Sequence, residues 1–233
     1  MPKIAAGCVA EFLGTFALTF FGCLAIIMTT PIGGSAGSLI TIALAHALIL
    51  YCFVSGCMYI SGAQFNPAVS IALIVAGKQR PGQAAAFIVC QLLGSACAAG
   101  MINLILGPAN VRNADGFMVG STIGSLTVAG SVFPLLLLEI ILTFALMLVI
   151  LTSTVDDRAH KSAGLPIGLT VGACILAAGP LSGASMNPAR TFGPWLFGQH
   201  PMLWVYIVAP ITGACVAALV YRTFWSAKAK AAT

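Results

Sequence analysis

Long stretches without a charged side chain are the feature that most limits how this chain can fold. Between Lys3 and Lys78 the only charged residue is Glu11, and residues 81–111 and 162–189 carry none. A helix crosses the hydrocarbon of a bilayer in about 20 residues, and only helices and closed barrels satisfy their backbone groups in lipid. The runs lack the short alternating segments of a barrel, so we expect transmembrane helices.

The composition argues against several classes of soluble protein. Only 6% of the 233 residues are charged and 60% are hydrophobic, whereas soluble domains carry about 25% charge. We therefore expect no cytosolic enzyme, no nucleic-acid partner and no disordered chain. The net charge of +5 comes from very few residues and is better explained by membrane topology than by a phosphate-binding surface.

Gly and Pro divide the apolar runs into six predicted spans and two shorter segments. The spans fall at 5–28, 38–60, 83–106, 132–153, 164–180 and 202–224. The shorter segments, near 66–76 and 187–197, would each be about 16 Å long as helices, which is half a bilayer. We predict an all-α membrane protein in a single domain, 1–233, with six transmembrane helices and two re-entrant half-helices. The pattern assigns no structure to loop 107–131.

Two motifs occur twice, in the same order. The segment 11–18 (EFLGTFAL) matches 139–146 (EIILTFAL), and 61–68 (SGAQFNPA) matches 182–189 (SGASMNPA) at six of eight positions. The offsets are 128 and 121 residues, so only loop lengths differ between the copies. Agreement of both motifs in register indicates an internal repeat.

The two copies, about 4–106 and 132–225, predict an inverted architecture. Each copy holds three spans and one half-helix, and three is odd, so the second copy enters the membrane from the opposite side. Inverted repeats of this kind place their working site near the membrane midplane. The two half-helices then approach from opposite faces, and their Asn-Pro-Ala ends meet in the middle.

The basic residues orient the chain, because cytoplasmic segments are enriched in Lys and Arg. With the N-terminus inside, only Arg112 and Arg190 fall outside. The inside set is Lys3, Lys78, Arg80, Arg158, Lys161, Arg222, Lys228 and Lys230. We expect an integral protein of the plasma (cell inner) membrane with both termini cytoplasmic and no cleaved signal peptide.

The paired Asn-Pro-Ala motifs are candidates for the centre of a pore: Asn66, Pro67, Ala68, Asn187, Pro188 and Ala189. Asn is a preferred N-cap and Pro is preferred at the first helical position, so one copy alone could be only a good helix start. Two facing helix N-termini place about half a positive charge each at the centre. With both Asn amides donating into a lumen and loop carbonyls accepting along it, such a pore excludes cations and protons.

Three charged residues accompany these motifs. Glu11 and Glu139 occupy matching repeat positions, and we favour a role in which each accepts hydrogen bonds from the loop of its own repeat. Proton-coupled transport is the alternative. Arg190 follows the second motif, where the first has Val69. Because Arg keeps its charge and is costly in lipid, we expect it to face the outer pore and repel cations rather than snorkel to the surface.

Together these residues resemble the aquaporin (major intrinsic protein) family over nearly the whole chain. The resemblance implies a homotetramer with one pore per subunit, which conducts water or small neutral solutes through the lipid bilayer without a cofactor. It also implies a selectivity filter near the outer mouth, placed here at His46, Ile175, Ala184 and Arg190. This filter is similar to that of plant tonoplast intrinsic proteins, some of which also pass ammonia.

The resemblance leaves the range of solutes open. Strictly water-selective members usually have Phe where His46 stands and His where Ile175 stands, so a wider channel for glycerol, urea or metalloid hydroxides is the alternative. His46 could also be an ordinary core residue. Thr191 replaces the Asp typical of glycerol channels, and Gln64 replaces a common His, which argues against a pH gate at that site.

Other functional classes have less support in the sequence. A secondary transporter usually has a charged or cation-coordinating centre, whereas two neutral Asn stand here. No catalytic set, metal cluster or phosphate loop indicates a membrane enzyme, and the eight Cys, almost all in apolar spans, are expected to be free thiols. A mainly structural or adhesive relative of such pores would show near-zero permeability.

Overall fold

A computed structural model describes residues 2–29, 36–113, 116–118, 120–156, 164–198 and 202–226. In this part of the chain, six helices are long and apolar enough to cross a membrane. They are α1 (Pro2–Thr29), α2 (Ala36–Ser61), α4 (Pro81–Leu106), α6 (Val132–Ile150), α7 (Gly164–Ser182) and α9 (Leu203–Val220). Wider π-type turns extend α6 over Leu151–Val155 and α9 over Tyr221–Trp225. The predicted spans are confirmed to within about three residues at each end.

Two short helices complete the predicted architecture. Helix α3 (Pro67–Val75) has nine residues and α8 (Pro188–Phe197) has ten, so each is only about 14–15 Å long and cannot cross a bilayer. Each follows an Asn with extended backbone angles and begins at the Pro of its motif. The prediction of an all-α membrane fold with two re-entrant half-helices is confirmed.

Helices of the two repeats pack in equivalent pairs, α1 with α4 and α6 with α9. Glycine allows the closest approach in both pairs. A Cβ at Gly94 of α4 would overlap the backbone carbonyl of Phe12, and a Cβ at Gly213 of α9 would overlap that of Ile140. Phe12 and Ile140 are 128 residues apart, the offset of the sequence motifs. Small residues at helix crossings let backbones touch in membrane bundles.

The connection between the repeats, which the sequence pattern left unassigned, folds back against the helices. It contains a 3-10 turn (Pro108–Val111) and the short helix α5 (Ser125–Val128). Met118 and Val111 are buried in a cluster with Cys23 of α1. The connection therefore forms part of the packed structure on one side of the molecule.

Large hydrophobic side chains face outward, as expected for helices surrounded by lipid. Tyr59 is 85% exposed, Leu104 is 78% exposed and Phe133 is 74% exposed.

The basic residues that were used to orient the chain are only partly described. Arg158, Lys161, Lys228, Lys230 and the side chain of Lys3 lie outside the described residues, so the orientation stays a prediction.

Candidate functional site

The loops that lead into the two half-helices have matching left-handed backbone. Gly62 and Gly183 open them with φ angles of 87° and 81°. The φ angle is also positive at four residues that carry side chains, namely Ala63, Phe65, Ala184 and Met186. Each such residue costs on the order of 1–3 kcal/mol, so the loops need hydrogen bonds from other parts of the chain to hold this shape.

Glu11 of α1 holds the first loop. Its Oε1 accepts hydrogen bonds from the Ser61 hydroxyl at 2.6 Å and the Gln64 backbone N–H at 2.9 Å. Its Oε2 accepts from the Phe65 backbone N–H at 2.6 Å and from Gln91 Nε2 at 2.8 Å. Glu11 is fully buried, and these four donors replace the water that the carboxylate would otherwise need.

Glu139 of α6 holds the second loop in the same manner. The Ser182 hydroxyl donates to Oε1 at 2.7 Å, the Ser185 N–H donates to Oε1 at 3.0 Å, and the Met186 N–H donates to Oε2 at 2.9 Å. Neither Glu11 nor Glu139 is among the residues that line the two cavities beside the facing half-helices. The geometry favours the loop-supporting interpretation of both acids over proton-coupled transport.

Asn66 and Asn187 cap the half-helices that follow them. Asn66 Oδ1 accepts from the Ala68 backbone N–H at 2.9 Å, and Asn187 Oδ1 accepts from the N–H groups of Ala189 at 3.0 Å and Arg190 at 3.2 Å. Pro67 and Pro188 occupy the first helical positions. The Asn of the first motif therefore satisfies one orphan donor at its helix start, and the Asn of the second satisfies two.

The same Asn side chains also join the two repeats. Asn66 Nδ2 donates to the Met186 carbonyl at 2.8 Å, and Asn187 Nδ2 donates to the Phe65 carbonyl at 2.8 Å. The two helix N-termini therefore face each other at the centre of the molecule. We expected the loop carbonyls to accept from solutes along the lumen, but these two accept from the Asn amides. Each amide has two N–H groups, so one in each remains for the lumen.

Two cavities meet beside this centre. The larger, of about 330 Å³, is lined by Asn66, Asn187 and Ala184 and extends to Lys78 in the loop after α3. The smaller, of about 280 Å³, lies next to it and is lined in part by Gly183. Three residues line both cavities: His46, Ile175 and Arg190. These three side chains stand where one cavity passes into the other, and Ala184 lies on the side of the larger cavity.

Arg190 and His46 contact each other at this junction. Arg190 Nη1 donates to the Gly120 carbonyl at 2.9 Å, and Nη2 lies 3.4 Å from His46 Nε2. His46 Nδ1 lies 2.8 Å from the Ile42 carbonyl, which can only accept, so Nδ1 carries the proton and Nε2 is the acceptor for Arg190. Both side chains are buried.

A hydrogen bond also links each loop to the first turn of its half-helix. Ser70 donates to Gln64 Oε1 at 2.6 Å, and the hydroxyls of Ser185 and Thr191 are 2.6 Å apart. Both pairs occupy equivalent positions, 121 residues apart. Gln64 lines the larger cavity, and its side chain has two Nε2 donors besides the oxygen that accepts from Ser70.

Sequence reasoning missed the contribution of the connecting segment to the site. Gly120 supplies the carbonyl that holds Arg190, and Thr122 shares a 2.7 Å hydrogen bond with Thr191. The segment VGSTIG around Gly120 has no helical or strand periodicity. The only available signal was its pair of glycines, one of which, Gly120, has a φ of 102°.

Comparison with known proteins places this geometry in a family. The family described as major intrinsic protein matches residues 2–221 of the chain. A probable TIP-type alpha aquaporin from Phaseolus vulgaris is 38% identical over 232 residues, covering 95% of this chain and 86% of the relative. The aquaporin NIP1-1 of Zea mays is 37% identical over 216 residues, covering 92% of this chain and 73% of the relative.

A solved structure has the same fold. The aquaglyceroporin from Plasmodium falciparum superposes with a TM-score of 0.75, covering 98% of this chain and 99% of its own. The two sequences are 23% identical, so this likeness concerns the arrangement of the helices and not the solute.

Proposed function

This chain belongs to the major intrinsic protein family and is a passive membrane channel for water and small solutes, and we propose that it excludes protons and ions while passing ammonia beside water. Family membership rests on the match over residues 2–221 and on aquaporin relatives at 37–38% identity. The proposal about charge rests on one observation, which is the pair of Asn amides bonded across the centre between two facing helix N-termini.

The centre acts on the orientation of water. Each Asn amide is held by a carbonyl of the opposite loop at 2.8 Å, so its second N–H has a fixed direction. A water molecule between Asn66 and Asn187 turns its oxygen toward both donors, and its own hydrogens then point away along the lumen. Such a water cannot accept a proton from its neighbour, and the two helix dipoles oppose any cation at the same place.

We assign the constriction to His46, Ile175, Ala184 and Arg190. Arg190 carries a permanent charge, and its described contacts are a carbonyl and an imidazole, neither of which carries a negative charge. It therefore opposes cations at the junction of the cavities. Ile175 and Ala184 add apolar surface to the same cavity, which suits a small neutral molecule that accepts a hydrogen bond from Arg190, such as water or ammonia.

The larger assembly is also part of the proposal. We propose a homotetramer in the plasma (cell inner) membrane with one pore in each subunit and with both termini in the cytoplasm. The excess of basic residues in the predicted inside segments supports this orientation. The exposed apolar side chains on the outside of the helices, such as Leu104 and Phe133, are suited to lipid and to neighbouring subunits alike.

Stopped-flow light scattering on purified protein in liposomes tests the function. We expect fast water flux with a low activation energy after an osmotic shock, ammonia flux under an ammonium gradient, little glycerol flux and no proton leak. Fast glycerol flux would show that the constriction is wider than assigned and would favour the solute-wide alternative. Flux that saturates or depends on an ion gradient would favour a secondary transporter, and liposomes no more permeable than protein-free ones would contradict an open channel.

A further inference from the structure

Gly22 of α1 lies directly behind the imidazole of His46. A Cβ built on Gly22 would overlap three imidazole atoms of His46: Nε2, Cδ2 and Cε1. Gly22 is buried but lines neither of the two cavities, whereas His46 lines both. The imidazole therefore occupies the space that a side chain at Gly22 would fill, and this space lies on the side of the ring away from the lumen.

His46 has little freedom to avoid a group placed behind it. Its Nδ1 is bonded to the Ile42 carbonyl at 2.8 Å, which fixes the ring orientation, and Arg190 lies 3.4 Å from its Nε2. The residue is only 4% exposed. Because packed interiors give way little to added volume, a methyl group on α1 would move the ring toward Arg190 and Ile175, into the lumen.

In the second repeat, the positions equivalent to Gly22 and His46 carry side chains of a different size distribution. The offset of 128 residues in α1 and α6 makes Ile150 the counterpart of Gly22, and the offset of 121 in α2 and α7 makes Ile167 the counterpart of His46. Ile150 packs against the buried cluster that contains Ile167, and both line the larger cavity. The second repeat thus places two aliphatic side chains on the cavity wall, where the first repeat has His46 with Gly22 behind it.

We propose that Gly22 is a specificity-determining position of this channel, because the space it leaves sets how far the His46 imidazole stands from Arg190 and Ile175 and hence the width of the constriction. Gly22 contacts no solute and acts through His46, so it is a positioning residue.

The neighbouring Cys23 strengthens this assignment, since its thiol donates to the Gly120 carbonyl at 3.3 Å, the same carbonyl that holds Arg190. Residues 22 and 23 of α1 therefore position two of the four constriction groups. The inference rests on the proposed function, in which these groups form the narrowest part of the pore.

The test compares Gly22→Ala with Gly56→Ala, a helical glycine of α2 whose added Cβ meets nothing within 4 Å. In liposomes with equal protein content, we expect Gly22→Ala to lower water permeability about tenfold, which corresponds to a barrier about 1.4 kcal/mol higher. Because the ring enters the lumen, the ammonia permeability should fall by a larger factor than the water permeability. The ratio of ammonia to water permeability should therefore also drop. Gly56→Ala should match the unmodified protein.

A double variant separates a steric effect on the filter from a general packing effect. In a His46→Ala background the imidazole is absent, so adding Gly22→Ala should change neither the folding nor the water permeability of that variant. If Gly22→Ala alone does not fold, the same comparison within the His46→Ala background still decides the question. A double variant that misfolds or loses flux relative to His46→Ala would show that Gly22 serves helix packing alone and would overturn the proposal.

The proposed function and this inference fail in different ways. An unmodified protein without water flux would contradict the channel assignment and say nothing specific about residue 22. An unmodified protein that conducts water, together with a folded Gly22→Ala that conducts equally well with the same ammonia-to-water ratio, would contradict the inference and leave the channel assignment intact.

Discussion

At the scale of single residues, the two central Asn side chains each serve the fold and the lumen at once. The Oδ1 atom of Asn187 caps its own half-helix, and its Nδ2 atom reaches the Phe65 carbonyl in the other repeat. Only the remaining N–H is available to water. Geometry of this precision requires an amide, because a carboxylate could cap the helix but could not donate in either direction.

The exclusion of cations should therefore depend on the amide. We expect Asn187→Asp to place a negative charge at the centre, to remove the donor to Phe65 and to make liposomes measurably permeable to Na⁺ or H⁺. Ion flux monitored with an entrapped fluorescent indicator checks this prediction. Asn110→Asp, at an exposed side chain, makes the same change of charge far from the centre and should leave ion flux at the level of the unmodified channel.

The carboxylate of Glu139 should matter for stability more than for transport. It accepts three hydrogen bonds from Ser182, Ser185 and Met186. In Glu139→Gln an NH₂ group must replace one of the acceptor oxygens and face a donor, and an unpaired buried donor costs about 1–3 kcal/mol. We expect a clearly lower thermal unfolding midpoint in detergent. A midpoint equal to that of Thr152→Val, a control on an exposed helix surface, would contradict this account.

At the scale of helices, apolar runs and their Gly and Pro boundaries were enough to predict the six spans found among the described residues. Helix α7 begins at Gly164, as predicted, and ends at Ser182, two residues beyond the predicted boundary. Capping chemistry was enough to place the starts of α3 and α8 to within one residue.

The connecting segment could not be predicted, because its structure depends on contacts with α1 and α8, such as those of Gly120 with Cys23 and Arg190. A local pattern does not contain such long-range contacts.

The crossed hydrogen bonds at the site were also beyond sequence reasoning. The motifs predicted that two helix starts meet, but the partners of the Asn amides depend on left-handed backbone at Phe65 and Met186. Side-chain-bearing residues rarely adopt positive φ, so no propensity predicts it there. The buried acids of α1 and α6 stabilise this backbone by accepting from the N–H groups of Phe65 and Met186. These contacts exist only after the helices have packed.

The crossing of α1 and α4 depends on the absence of a side chain at Gly94. A methyl group there would overlap the Phe12 carbonyl, which is backbone and cannot turn aside. We expect Gly94→Ala to separate the two helices and to destabilise the protein by about 1–3 kcal/mol, measured as a lower unfolding midpoint and a lower yield of folded protein. Gly82→Ala, in the same helix where an added Cβ meets nothing within 4 Å, should behave like the unmodified chain.

At the scale of the whole molecule, the described residues form a polar centre enclosed by an apolar exterior, and the orientation of the fold in the membrane can be tested directly. Lys78 and Arg112 are both exposed and are predicted to lie on opposite sides. We expect a membrane-impermeant thiol reagent to label Arg112→Cys in intact cells and Lys78→Cys only in inside-out vesicles. The unmodified chain gives the background from its own eight thiols, and the reverse labelling pattern would contradict the predicted topology.

The crossed Asn–carbonyl pairs also have a consequence for biosynthesis. Their partners lie 120 and 122 residues apart in the chain, and a ribosome adds about 5–20 residues per second. The first half of the protein therefore waits roughly 6–24 seconds in the membrane before the second half supplies its missing donor and acceptor. During this interval no through-going passage exists, since half of its wall has not been made.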